Sequence, residues 1–234
     1  IRWGSILHAA TCKLLKEKSG AKLYEIYDKL CKEEQLFNTD LINRGAELLS
    51  IWIDSYFKED LKKEILYLDE TLEIEMGDFT FLIKPDRVLF NPETGKTEIF
   101  ELKTTQYSVS VILGNLQKTD QTTAYIWGWN KLFPDKKINT AIPEVFYSRG
   151  KVPRVERGTP IYRTELDLLR FENVIKSLAY EIKYKKEQDN PDIFFHQLSC
   201  TEGSNFGCDY ADICRHEHAR KEPPIGYKMR EEYK

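Results

Sequence analysis

The segment "KPDRVLFNPETGKTEIFELKTTQ", residues 84–106, decides the fold and the chemistry that this sequence can support. Residues 79–90 are rich in Phe, Ile, Leu and Val, which is typical of a buried strand, and residues 97–105 are predicted to be a second strand. Between them, "NPETGK" at residues 91–96 supplies the Asn, Pro and Gly that reverse a chain. The segment therefore predicts two neighbouring strands joined by a turn.

This hairpin brings two carboxylates and a lysine together. Side chains alternate faces along a strand, so Glu101 and Lys103 point the same way and Leu102 points the opposite way. Asp86 can meet Glu101 across the hairpin. Carboxylate oxygens are the ligands that Mg²⁺ and Mn²⁺ prefer, and a nearby lysine can stabilise developing charge or hold an attacking water. The alternative is a solvated strand face, on which Glu-x-Lys is common.

The apolar periodicity of the rest of the chain predicts an α/β fold with a central mixed β-sheet flanked by helices. The helix over 39–61 is expected to be capped by Thr39 or Asp40. Predicted helices cover residues 3–17, 21–34, 39–61, 116–131 and 165–188. Predicted strands cover residues 65–76, 79–90, 97–105, 143–148 and 159–164.

Length and composition predict one substantial core. The chain has 234 residues, of which 41% are hydrophobic and 12% aromatic, and this excludes a disordered protein. No apolar run approaches the roughly twenty residues of a membrane span, and no signal peptide is visible, so we expect a cytoplasmic protein. The chain opens at Ile1 rather than Met, which suggests that the natural N-terminus lies upstream.

The overall charge does not favour a nucleic-acid-binding protein. The formal net charge is −3 and the pI is near 5.9. Basic residues cluster locally, however, in "SRGKVPRVERG" at residues 148–158, which we interpret as a loop or ragged hairpin. It could grip phosphates or be an ordinary solvated turn, and the sequence leaves both open. Its cations are Arg149, Lys151, Arg154 and Arg157.

Four motifs, in order along the chain, resemble the PD-(D/E)XK nuclease superfamily. "PD" followed by "ELK" resembles the superfamily signature, in the form of the RecB-type branch of phage, mobile-element and CRISPR-adaptation nucleases. "WGSILHAA" (3–10) resembles the Gly-x-x-x-His of that branch, "QTTAY" (121–125) its Gln-x-x-x-Tyr, and "CTEGSNFGCDYADIC" (200–214) its cysteine cluster. One position departs from the pattern, because Ile83 stands where a glycine is common. The resemblance implies a restriction-endonuclease-like core.

The resemblance also implies roles for individual residues. His8, a core or surface histidine on sequence grounds alone, resembles a metal ligand beside Asp86 and Glu101, and the carbonyl of Leu102 resembles a further one. A nitrogen ligand suits Mn²⁺ better than Mg²⁺. Lys103 is the catalytic lysine by resemblance. Gln121 is expected to have a supporting catalytic role and could equally hold its helix to the sheet, whereas the role of Tyr125 is open.

Three cysteines near the C-terminus predict a second metal centre, because disulfides are rare in cytosolic chains. The resemblance implies a structural four-iron four-sulfur cluster held by Cys200, Cys208 and Cys214. Its fourth cysteine would lie upstream of the His8 helix. The spacing also permits a zinc site completed by His218, with His216 as a second candidate, and free thiols are the remaining alternative.

These observations predict residues 1–190 as a nuclease core and residues 191–234 as a Cys-rich segment packed on it. The expected activity is that of a metal-dependent deoxyribonuclease using Mg²⁺ or Mn²⁺, an exonuclease or flap-type enzyme acting on DNA ends or single strands. A helicase or recombination partner would suit that activity, and RNA is a weaker candidate substrate. The alternatives are a catalytically inactive nucleic-acid-binding module on the same fold and a zinc-dependent nucleic-acid binder. Polarity of digestion and oligomeric state are not written in the residues.

Overall fold

The computed structural model of this chain describes residues 2–187. Contacts divide the chain into two units, residues 1–175 and residues 176–234. The first unit contains the whole β-sheet. The second is described only to Glu187, so the predicted segment 191–234, with Cys200, Cys208, Cys214, His216 and His218, lies outside the described residues.

Seven α-helices and eight β-strands follow one another in the described residues. The helices are α1 Arg2–Glu17, α2 Leu23–Glu33, α3 Thr39–Trp52, α4 Lys58–Asp60, α5 Val109–Lys118, α6 Asp120–Leu132 and α7 Glu165–Glu187. The strands are β1 Glu64–Leu68, β2 Leu72–Met76, β3 Phe79–Ile83, β4 Arg87–Asn91, β5 Lys96–Thr105, β6 Thr140–Tyr147, β7 Arg154–Arg157 and β8 Ile161–Tyr162. None of these helices has the length and apolar character needed to cross a bilayer.

Six of the strands form one mixed sheet. Its order is β1-β4-β5-β6-β7, with β8 also paired to β6. The pair β5 and β6 is parallel, and α5 and α6 connect these two strands. The other pairs of this sheet are antiparallel. Strands β2 and β3 form a separate two-stranded hairpin between β1 and β4. The predicted mixed α/β architecture is confirmed.

Helices cover both faces of the sheet. Leu102 of β5 faces a core cluster that it shares with α1, α2 and α3, including the fully buried Leu7, Leu48 and Trp52. Ile99 lies three residues before Leu102, so its side chain points to the opposite face of the sheet. There it packs in a second cluster built on α6 and the β2–β3 hairpin. Both faces of β5 are therefore buried at its centre, where Ile99, Phe100 and Leu102 lie, whereas the two ends of the strand are polar.

The predicted strands 65–76 and 79–90 are wrong in extent, because each is broken in two. The first is interrupted at Asp69, whose φ of 45° is a left-handed conformation that ends a strand. The second is interrupted at residues 84–86, where Pro85 supplies no N–H to a ladder. The β2–β3 hairpin lies between these two breaks, and Asp86 stands directly at its exit.

Three helix or strand predictions also need correction. The helix predicted over 39–61 is capped by Asn38, whose side chain accepts from the Leu41 N–H at 3.0 Å, and not by Thr39 or Asp40. After Trp52 it widens into a π-helical turn. The helix predicted over 116–131 is two helices, broken at the extended Thr119. The strand predicted over 159–164 is only the two residues of β8. The segment 148–158, interpreted as a loop or ragged hairpin, is a hairpin, because β7 pairs with the end of β6.

Candidate active site

The β4–β5 register places Asp86 and Glu101 on one face of the sheet. Arg87 lies opposite Phe100, so the next residues outward, Asp86 and Glu101, stand across from each other. Both are buried, with 7% of Asp86 and 1% of Glu101 exposed. Carboxylates are rarely buried without partners. Extended by one residue, this register brings the two acids to neighbouring positions.

Helix α1 brings His8 to Asp86. The His8 Nδ1 lies 2.8 Å from Asp86 Oδ1, and the backbone N–H of Leu102 donates to Asp86 Oδ2 at 2.6 Å. Gly4 lies one turn before His8, and a Cβ atom there would stand 2.8 Å from Thr104 Oγ1. The Gly-x-x-x-His spacing thus has a physical reason, because the glycine lets α1 approach β5 closely enough for His8 to reach the carboxylate.

Lys103 forms an ion pair with one carboxylate oxygen of Glu101, and the other oxygen has no hydrogen-bond partner. Lys103 Nζ lies 2.5 Å from Glu101 Oε1. Glu101 Oε2 is buried and has no hydrogen-bond partner. Burial, followed by the charge of Asp86, raises the pKa of Glu101 to about 7, although Lys103 and His8 oppose the shift. A buried carboxylate oxygen without a partner is costly, and it marks a place where a cation would be favourable.

The pKa of His8 is affected by the same two carboxylates, Asp86 and Glu101. Burial acts to lower the pKa of His8, but the hydrogen bond and charge of Asp86, together with the charge of Glu101, outweigh it and raise that pKa above the usual value of 6.5. The imidazole therefore lies within electrostatic range of both acids. The structure brings together His8, Asp86, Glu101 and Lys103, four of the residues selected from the sequence.

Gln121 and Tyr125 form a pair on α6. The Gln121 amide donates to the Tyr125 hydroxyl at 2.8 Å. Burial, followed by the charge of Glu101, raises the pKa of the Tyr125 phenol, and the charge of Asp86 contributes to the same shift. Tyr125, whose role was open in the sequence, is therefore within electrostatic range of the acids. The described contacts join Gln121 to Tyr125 rather than to Lys103.

The donor set suits a divalent cation, although no finished cage is present. Within residues 2–187, no three imidazole, thiol or carboxyl groups are gathered as ready metal ligands. Instead, His8 is hydrogen-bonded to Asp86, and Lys103 forms an ion pair with one oxygen of Glu101. Two carboxylates, an imidazole and the free Oε2 of Glu101 nevertheless have the chemistry that Mg²⁺ or Mn²⁺ requires. The residues fit such an ion if these internal pairs rearrange around it.

Two residues that the sequence did not single out hold the backbone of Asp86. The Cys12 thiol donates to the Asp86 carbonyl at 3.4 Å, and the Asp69 N–H donates to the same oxygen at 2.9 Å. Burial raises the pKa of Cys12 to about 12, so this thiol is a hydrogen-bond donor rather than a nucleophile. Its i+4 spacing from His8 could have revealed Cys12. Nothing in the sequence pointed to Asp69.

The basic segment 148–158 divides between two environments. Arg157 is not part of a solvated or phosphate-gripping loop, because it donates to Glu144 Oε1 at 2.5 Å and to Asp60 Oδ2 at 2.7 Å. Arg87 completes this buried network by pairing with Glu144. Arg154, by contrast, has an exposed side chain that stacks on Tyr147. The sequence could not separate the two arginines, since Asp60 is 97 residues away from Arg157.

Comparisons with known proteins give a family and a fold. A sequence profile described as the PD-(D/E)XK nuclease superfamily matches residues 1–215. The crystal structure of a protein named "Putative exonuclease" from Eubacterium rectale superposes with a TM-score of 0.50 at 15% identity, covering 92% of this chain and 80% of the other. SSO0001 matches with a TM-score of 0.35 at 17% identity, covering 74% of each chain. No curated protein sequence matches.

Proposed function

Because this chain belongs to the PD-(D/E)XK nuclease superfamily, we propose that it is a metal-dependent deoxyribonuclease that hydrolyses phosphodiester bonds at DNA ends or in single strands. The observation that carries the proposal is the buried Glu101, which stands across from Asp86, pairs with Lys103 and keeps one oxygen unpartnered. A fold that needed these charges only for stability would be expected to pair that oxygen.

The proposed metal ligands are Asp86, Glu101, His8 and the carbonyl of Leu102. Members of the superfamily generally use Mg²⁺ or Mn²⁺. Such an ion supplies positive charge that offsets the phosphate and makes a water molecule more acidic. Burial of Asp86 and Glu101 strengthens each electrostatic interaction at the site, since little solvent screens them.

Lys103 has the part-exposed position that a substrate-facing lysine needs. Its side chain is 34% exposed, whereas that of its partner Glu101 is 1% exposed, so the ammonium can reach outward from a buried anchor. We assign it the positioning of the attacking water or the stabilisation of charge on the phosphate in the transition state. Gln121 and Tyr125 are proposed to support this side of the site through their shared hydrogen bond.

The finer assignments rest on the resemblance of the motifs. These are the RecB-like branch, exonuclease or flap activity, and a cytoplasmic setting in recombination, phage replication or CRISPR adaptation. A helicase or recombination partner is proposed on the same ground. We propose on the same ground that residues 1–190 form the core and residues 191–234 a Cys-rich segment. We also propose that this segment holds the iron–sulfur or zinc centre. The oligomeric state is left open.

The test is cleavage of end-labelled single- and double-stranded DNA with Mn²⁺, Mg²⁺ or EDTA. We expect cutting that requires the ion and that Lys103→Ala and Asp86→Ala abolish while both variants still bind DNA. Lys96→Ala is the control, because this lysine lies at the opposite end of the same strand and is exposed. A folded wild-type protein that binds DNA and Mn²⁺ and never cuts would instead indicate the inactive binding module.

A further inference from the structure

The open end of the active-site face lies at the carboxyl ends of β5 and β6. The register of β5, β6 and β7 aligns Lys103 with Val145 and Glu156, and aligns Thr105 with Tyr147 and Arg154. Partners in register point to the same face. Tyr147 and Arg154 are therefore on the face that carries Glu101 and Lys103, one row of side chains further along. In open α/β sheets, ligands bind at the carboxyl ends of the parallel strands.

Arg154 has the geometry of a preorganised cation in that row. Its guanidinium carbon lies 4.9 Å from the centre of the Tyr147 ring, and its side chain is 57% exposed. Stacking on the ring holds the guanidinium plane while its N–H groups stay available. Its ion pair, with Glu156, is long, at 3.7 Å, and exposed, so it competes weakly with a phosphate.

The loop before β7 adds charge next to Arg154 and is tied to the core. Arg149 and Lys151 are exposed on either side of Gly150, which has a φ of 93° that favours glycine. Arg44 of α3 donates to the Gly150 carbonyl at 2.7 Å. The backbone of the loop is thus anchored to α3, while its two cations are exposed to solvent.

An exposed aromatic ring follows β5 at the same end. Tyr107 is 56% exposed, and its N–H donates to Thr105 Oγ1 at 2.9 Å. The β6 end is tied to the same residue, because the Ser148 N–H donates to the Thr105 carbonyl at 2.9 Å. Exposed rings beside cations are the two components with which proteins bind single-stranded nucleic acid.

We propose that Arg154, stacked on Tyr147, is a phosphate-binding subsite for single-stranded DNA a few nucleotides from the scissile bond. Arg149, Lys151 and Tyr107 extend the same subsite. Two strand spacings and one side-chain row separate Arg154 from Lys103, which amounts to about 12 Å between their Cα atoms. The subsite rests on the proposed function, since it binds the strand whose phosphate reaches Lys103. It would supply local positive charge for DNA binding in a chain whose net charge is −3.

The experiment measures binding of a fluorescein-labelled oligodeoxythymidine by anisotropy over a range of salt, with Ca²⁺ replacing Mg²⁺ to prevent cutting. Loss of one phosphate contact lowers the slope of log K against log salt by about 0.7 for single strands. We therefore expect Arg154→Ala to weaken binding about three- to tenfold and to lower the slope by that amount. Arg154→Lys keeps the slope. Lys96→Ala, which removes an exposed charge at the other end of β5, changes neither quantity.

The outcomes separate the subsite from the enzyme. If the wild type binds and cuts DNA and Arg154→Ala matches Lys96→Ala in affinity and slope, the subsite is wrong and the nuclease assignment stands. If the wild type neither binds nor cuts DNA, the proposed function fails and the subsite fails with it. The double variant Arg149→Ala/Lys151→Ala repeats the test on the anchored loop, where a further loss of slope is expected.

Discussion

The two faces of one β-sheet carry two buried charge clusters that differ in how completely they are paired. On one face, Asp60, Arg87, Glu144 and Arg157 form a network in which each carboxylate oxygen meets a guanidinium. On the other face, Asp86 and Glu101 share His8 and Lys103, and Glu101 Oε2 meets nothing. The first cluster balances two anions with two cations inside the protein. The second cluster keeps one carboxylate oxygen that can bind a cation from outside the protein.

The unpaired atoms of the network strengthen this contrast. Arg87 Nε and Nη1 are buried without hydrogen-bond partners, as is Glu101 Oε2. The Arg87 guanidinium, however, lies 4.9 Å from the centre of the Phe100 ring and 5.5 Å from that of Trp52, so aromatic faces receive its charge. No aromatic face can do this for a carboxylate. Arg87 and Glu101 both lack hydrogen-bond partners, but the charge of Arg87 is stabilised by aromatic rings. Of these two residues, only Glu101 therefore needs a ligand.

The largest effect is expected from Glu101→Gln. This change removes a proposed metal ligand without altering its shape, so we expect cleavage to fall by about 10³-fold or more. The free energy of unfolding should be retained or raised at neutral pH, because burial and Asp86 oppose the negative charge that the change removes. Cleavage rates and urea denaturation check both statements. A severe loss of stability would mean that Glu101 is structural, like Glu144.

The reverse result is expected in the network. Arg157→Met keeps the aliphatic bulk but leaves Asp60 and Glu144 short of a buried cation, so we expect a loss of about 3–5 kcal/mol in the free energy of unfolding. Arg154→Met is the matched control, three residues earlier on the same strand and exposed, and should cost under about 0.5 kcal/mol. Denaturant titration of both variants is the measurement. Equal stabilities would show that the network contributes nothing net.

The same contrast explains which parts of the molecule could be predicted. Asp86, Glu101 and Lys103 were accessible because a hairpin fixes its own register, and His8 was accessible only through a motif resemblance. The Asp60–Arg157 pair joins residues 97 positions apart, with no local pattern to announce it. The interrupted strand before Asp86 was missed because Phe, Leu and Ile predict strands on both sides of a break that only Pro85 signals.

Helix α1 offers an intermediate effect, since it reaches the active site without belonging to it. In Gly4→Ala, the new Cβ would stand 2.8 Å from Thr104 Oγ1, so either α1 or the Thr104 side chain must shift, and we expect α1 to carry His8 away from Asp86. A misplacement of about 1 Å can cost about 100-fold in rate, and we expect about tenfold from the smaller shift that relieves this contact. The measurement is cleavage by Gly4→Ala and by Gly4→Ala/Thr104→Ala, in which the clashing oxygen is gone. Failure of the second change to restore the rate would show that packing at Gly4 does not position His8.

The pH dependence of stability in EDTA should show opposite signs for the two clusters. Burial works against Glu144, but Arg87 and Arg157 hold its folded pKa below the usual 4.5, so its contribution is complete above that value and is lost as the pH falls. Glu101 has a folded pKa raised to about 7, so the folded state binds the extra proton and stability falls as the pH rises from 4.5 through 7. Glu144→Gln should therefore flatten the acid limb of the stability profile, and Glu101→Gln should flatten the limb between 4.5 and 7. Unfolding followed by denaturant at each pH measures both limbs. If both variants flatten the same limb, the two faces of the sheet do not hold their carboxylates in the different ways that their contacts indicate.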